Sequence, residues 1–157
     1  MSVRRCVTFE DTELPLEATR IAAGPARPSR AVDTSDADSR DTPPPGRELA
    51  EELARGLEAG DLSLAFPVSE WESYGWEFTV RADGRDVWFM LQASDEWLVI
   101  SDTPRGFLER LRGVTFEEEH RKALTVLATI LAPPRFTNVQ WFTKDEFEAH
   151  QRGKPPL

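Results

Sequence analysis

The sequence predicts an α+β fold, a single domain in which a four-stranded, mainly antiparallel sheet packs with about four helices in the order α-β-β-β-α-α-β-α. Three observations carry that expectation. Period-two alternation flanks Asp83-Gly84, a hairpin signal; several stretches space apolar residues as one helix face does; and every aromatic residue but Phe9 lies at or beyond Phe66. The core is therefore expected in the C-terminal two thirds.

Residues 1 to 45 hold six prolines (Pro15, Pro25, Pro28, Pro43, Pro44 and Pro45) among Ala, Ser, Thr, Asp and Arg. Such a mixture cannot bury enough apolar surface to offset its ordering entropy, so the segment reads as a disordered tail ending in a stiff Pro43-Pro44-Pro45 spacer. It also admits a short strand around Val3 to Phe9. A compact domain is expected over residues 46–151, with a frayed tail at 152–157.

From Gly46, Leu49, Leu53 and Leu57 recur at i, i+4 and i+8, which marks the first helix, and Gly60 stops it. Leu62, Leu64 and Phe66 alternate as in a short extra strand, Pro67 is expected to break it, and Trp71 to Gly75 reads as a loop. Trp76, Phe78 and Val80 alternate with Glu77, Thr79 and Arg81, a strand with one buried face. After Asp83-Gly84 the return strand, Val87 to Gln92, is nearly all apolar and should sit centrally; Trp97 to Ser101 supplies the next.

Asp102-Thr103-Pro104 reads as a cap followed by a proline in the first helical turn, before a short apolar face of Phe107, Leu108 and Leu111. Thr115 and Glu118 match a capping box for a helix carrying Ala123, Leu124, Leu127, Ile130 and Leu131, ended by Pro133-Pro134. Phe136 to Phe142 is the fourth strand. Thr143 with Glu146 then opens a last helix over 144–151.

The 157 residues carry 28 acids against 19 Lys and Arg, a formal net charge of -9. That balance disfavours a nucleic acid or an anionic membrane as partner, since both select for basic surfaces. A single cysteine, Cys6, excludes an internal disulfide framework. The basic start Met1 to Arg5 meets no apolar run before Glu10 and Asp11, and Ala123 to Ala132 falls far short of a bilayer span; a cytoplasmic location is expected.

Chemistry-bearing residues are sparse. His120 follows Glu117-Glu118-Glu119 but lacks the second histidine of HExxH, so it reads as part of a solvated acidic helix start; His150 near a helix C-terminus suits the dipole. Cys6, in the expected tail, has nothing to activate it. GxSxG, GxGxxG and GxxxxGK[ST] are absent. Glu77, Asp83, Asp86, Asp95, Glu96 and Asp102 gather around the hairpin strands, but turn aspartates have a conformational role of their own. No catalytic, cofactor-binding or metal-binding residue is assigned, and no cofactor is expected.

The aromatic residues point elsewhere. Trp88 and Phe89 are adjacent and face opposite sides of one strand, as do Trp141 and Phe142, so either helices cover both sheet faces or one face is a binding surface. Ser69 to Gly75 places Trp71 and Tyr74 between Glu70 and Glu72, an interface-like composition. Glu70, Trp71, Glu72, Tyr74, Asp95 and Glu96 are thus the candidate partner-binding residues.

Trp76-Glu77-Phe78-Thr79-Val80, Asp83-Gly84, Val87-Trp88-Phe89 and Asp95-Glu96-Trp97, followed by two helices and Phe136 to Trp141, give a layout over residues 46 to 151 that resembles small acidic bacterial immunity proteins and secretion-chaperone-like α+β domains. The resemblance implies a cytoplasmic protein that neutralises or escorts a larger partner, and it carries over no functional residue. The leading expectation is a non-catalytic, acidic protein-binding module whose partner is a protein with a basic surface. The alternatives are an enzyme or small-ligand-binding domain using a carboxylate in a pocket between sheet and helices, and an accessory domain tethered by its tail.

Overall fold

The computed structural model describes residues 3–16 and 42–152. In chain order the elements are β1 (Cys6–Asp11), α1 (Arg47–Ala59), β2 (Ser63–Trp71), β3 (Gly75–Ala82), β4 (Arg85–Ala93), β5 (Trp97–Asp102), α2 (Phe107–Leu111), α3 (Glu117–Ile130), β6 (Phe136–Phe142) and α4 (Lys144–Arg152). The class is α+β and the sheet is antiparallel, but it has six strands, not four, in the order β2-β3-β4-β5-β1-β6. With β1 and β2 added, the expected succession of the other elements stands.

β1 is the larger correction. It lies between β5 and β6, with Val7 opposite Val99 and Trp141, and Phe9 opposite Trp97. Val7 and Phe9 are fully buried, so the first strand of the core comes from the segment expected to be a tail. Val3, Cys6, Val7 and Phe9, four apolar residues among 3–9, suffice for the short strand the sequence admits there once it is hydrogen-bonded on both sides. Residues 17–41, the remainder of that expectation apart from the Pro43-Pro44-Pro45 spacer, lie outside the described residues, as do 153–157.

Both flanks of 17–41 are held by tryptophans. The Trp97 indole N–H donates to the Leu14 carbonyl at 3.0 Å, and that of Trp76 to the Pro44 carbonyl at 2.9 Å. Gly46, which opens α1 at φ 105°, abuts the Trp97 ring, where a β-carbon would meet ring atoms at 2.7 Å. Its positive φ and this close approach both demand glycine.

β2 runs on to Trp71 through Pro67 because it is an edge strand, and register shifts between Leu64 and Ser69 absorb the proline's missing N–H. The loop is only Glu72 to Tyr74, closed by Tyr74 N–H donating to the Trp71 carbonyl at 3.0 Å. Asp83 and Gly84 both adopt positive φ, as the hairpin signal required. β4 is central, as its apolar run predicted.

One face of the sheet is covered by α1 and α3, which also pack on each other. Trp76, Phe78, Val80, Phe89, Leu91, Trp97, Val99, Val7 and Phe9 meet Leu49, Leu53, Leu57, Ala123 and Leu127 there. Phe78 stacks on Phe89 across the β3–β4 pair with ring centroids 5.4 Å apart. On the opposite face α4 sets Phe147 edge to face and His150 tilted against Phe142 of β6. Thr143 and Glu146 form the expected box that caps α4, with bonds of 2.7 and 3.2 Å.

The other two helix starts differ from expectation. α2 begins at Phe107 behind Gly106, whose N–H donates to the Glu109 carboxylate at 2.9 Å; Asp102 is taken instead by Arg5 and the Thr103 N–H. α3 begins at Glu117 with Phe116 as its cap and no side-chain capping bond. For α2 the local cap signature lost to the tertiary pairing of Asp102 with Arg5.

Candidate partner interface

The face of the sheet opposite α1 and α3 is built by the alternate residues of each strand. On β2 and its neighbours these are Phe66, opposite Thr79; Trp71, opposite Gly75; Glu77; and Trp88, opposite Thr79 on the other side. The Trp71 and Trp88 rings meet edge to face with centroids 5.7 Å apart. The Trp88 indole N–H donates to the Glu77 carboxylate at 2.6 Å, which fixes both side chains. α4 packs on β6 at the far side of this face from the free β2 edge. Phe66 is 60 %, Trp71 38 % and Tyr74 65 % exposed.

Of the expected partner-binding residues, the fold therefore groups Glu70, Trp71, Glu72 and Tyr74 at the end of the β2–β3 hairpin. Asp95 and Glu96 lie in the β4–β5 turn, at the same end of the sheet but two strands away. There they line a separate groove of about 480 Å³ with Phe9, Glu10, Leu16 and Trp97. Asn138 donates to the Glu96 carboxylate at 3.0 Å. Phe66, Glu77 and Trp88 belong to the first patch and were not singled out as partner residues. The signal was present in the alternation of Leu62, Leu64 and Phe66 and in the opposed facing of Trp88 and Phe89; only the strand order shows that these residues share a surface.

His120 is where sequence reasoning went furthest astray. It is buried, not solvated: its Nε2 lies 2.7 Å from the Ser101 hydroxyl, and that hydroxyl donates to the Arg5 carbonyl at 3.1 Å. The neutral ring thus carries its proton on Nε2. Burial, reinforced by the Arg5 charge and opposed by Asp102 and Glu117, lowers its pKa to about 4. The spacing 120, 123, 124, 127 continues the apolar stripe of α3 and was the available sign. Ser101 is equally buried, with its hydroxyl committed to Arg5 and His120, so the pair pins α3 to β5 and β1.

The carboxylates of Glu109 and Glu146 have pKa values lowered first by the backbone N–H groups they cap; Glu146 is exposed and Glu109 half-exposed. Burial pushes the Cys6 thiol up, against the smaller pull of Arg5 and Lys144. Among the described residues no group of three His, Cys, Asp or Glu side chains converges as metal ligands would, and no helix is long and apolar enough to cross a membrane. Comparison with protein-family models, with curated proteins and with solved structures returns no match.

Proposed function

We propose that this chain is a non-catalytic, acidic protein-binding module that presents the β2–β3 end of its sheet to a protein with a basic surface, in the manner of an immunity protein or a secretion chaperone. The observation that carries the reading is the open aromatic patch of Phe66, Trp71, Tyr74 and Trp88, with Glu77 bonded to Trp88 within it and Glu70 and Glu72 at the adjoining hairpin end. Rigid aromatic rings supply contact area at little entropy cost, and surrounding carboxylates steer a basic partner and select its register. The net charge of -9 acts in the same direction over longer range.

The carboxylate-pocket alternative has less support, because Glu109 and Glu146, the carboxylates with displaced pKa values, sit at exposed helix starts rather than in a cavity. The test is affinity recovery from the native host with the wild-type chain and with Trp71→Ala/Tyr74→Ala, at low and high salt. The expected result is one stoichiometric basic protein that the wild type retains at low salt and the double variant loses, with binding weakened by about 2 kcal/mol or more. Recovery of no stoichiometric partner at either salt, or equal recovery by the variant, refutes the reading.

A further inference from the structure

α2 is unlike the rest of the surface. It buries none of its residues, and Phe107, Leu108 and Leu111 are 75 %, 63 % and 68 % exposed, with Val114 beside them. An apolar cluster of that kind on a polar chain marks a contact surface. It is held rigidly to the body: Arg85 bonds Glu109 at 2.8 Å and lies over the Phe116 ring at 4.0 Å. Its charge is also reversed relative to the molecule. Arg105, Arg110 and Arg112 flank the apolar residues, while the one acid, Glu109, is occupied by Arg85 and the Gly106 N–H.

The complement of this knob is on the same chain. The groove beside the β4–β5 turn offers Pro15 and Leu16 as apolar lining, over the buried Phe9 and Trp97, and Glu10, Asp95 and Glu96 as acids, with no basic residue among its lining. Knob and groove lie at opposite ends of β4, which has nine residues, and so are about 30 Å apart. One molecule therefore cannot satisfy its own knob.

We propose that copies of this chain associate head to tail, α2 of one seated in the acidic groove of the next. The apolar side chains fill the groove, and Arg110 and Arg112 meet Asp95, Glu96 and Glu10. The choice of a second copy over an anionic membrane rests on the local match between the arginines around α2 and the acids of the groove, since a net charge of -9 opposes both occupants. Because the two surfaces differ, the contact is heterologous and does not close at a dimer. It is weak, with half-association at roughly 100 µM, since so few residues meet.

Sedimentation velocity on the purified full chain tests this. The wild type should show a sedimentation coefficient that rises with concentration without levelling at a dimer, and less steeply in high salt. Leu108→Asp (or Leu111→Asp) in the knob and Glu10→Arg/Asp95→Arg at the groove should each weaken association at least about tenfold. Mixing the two should restore a 1:1 pair that grows no further, because each variant keeps one intact half. A wild type monomeric at every concentration overturns the proposal. So does association lost in Leu108→Asp but kept in the groove variant, which would mean that α2 pairs with itself. Binding to vesicles of phosphatidylcholine and phosphatidylglycerol through Leu108, without self-association, would reassign the knob to a lipid surface.

Discussion

The guanidinium of Arg135 grips the fully buried carboxylate of Asp11 with two bonds of 3.0 Å, from Nε and Nη2, while its Nη1 reaches Glu52 of α1 at 2.6 Å. The backbone joins in, since the Arg135 carbonyl accepts both the N–H and the hydroxyl of Thr12 at 3.0 Å. One side chain thus ties the end of β1 to the start of β6 and to the helix layer. Arg135→Ala should cost about 3–5 kcal/mol in urea unfolding, because it strands a buried charge. Asp11→Asn added to it should recover part of the loss, and an unchanged midpoint for the single variant would refute the role.

β1 is bonded on both sides, so a chain beginning after residue 16 should not fold. Its removal leaves the facing backbone groups of β5 and β6 unpaired and takes Val7 and Phe9 from the core. Circular dichroism of the truncated chain should show loss of cooperative melting. Cys6 reports the same docking: its buried, pKa-raised thiol should react with a disulfide reagent many-fold slower in the folded chain than in denaturant.

His120 should make stability depend on pH. Its pKa of about 4 in the folded chain lies below the ordinary 6.5, so the unfolded chain binds the proton first. The contribution is complete above about pH 6.5 and is lost as pH falls towards 4, by up to about 3 kcal/mol. His120→Gln should be less stable at pH 7, yet lose less stability than the wild type between pH 6.5 and 4. Equal slopes for the two proteins would show that the buried imidazole does not couple to folding.

The Thr8 hydroxyl is buried on β1 with no hydrogen-bond partner. Thr8→Val removes an uncompensated polar atom at almost constant volume. Thermal melting should therefore show unchanged or raised stability, by up to about 1–3 kcal/mol. A clear loss would mean that the hydroxyl is satisfied in solution.

Where side-chain pattern and local structure coincide, reading the chain succeeded. The Leu49, Leu53 and Leu57 stripe is α1, Asp83-Gly84 is the hairpin turn, Thr143 and Glu146 cap α4, and the β4 apolar run is central. Where partners distant in sequence decide, it could offer a strand near Val3 to Phe9 only as an alternative to a tail and expected Pro67 to end β2. Cys6–Asp11 is a strand because β5 and β6 lie on either side of it, and Pro67 is tolerated because β2 has a free edge.

The interface divides in the same way. Trp71 and Tyr74 between acids were legible as composition, since aromatic residues in an acidic loop stand out in one dimension. That Phe66 and Trp88 join them, that Asp95 and Glu96 belong to another concavity, and that His120 turns inward were not legible. Each depends on which strands become neighbours and which helix lies over them, and periodicity within a segment carries no information about that. The sequence by itself determined the class, the helices and the acidic, aromatic character of the surface. Only the tertiary structure decided the six-strand order, because hydrogen-bonded pairing between β1, β5 and β6 is a property of segments some 85 to 135 residues apart in the chain.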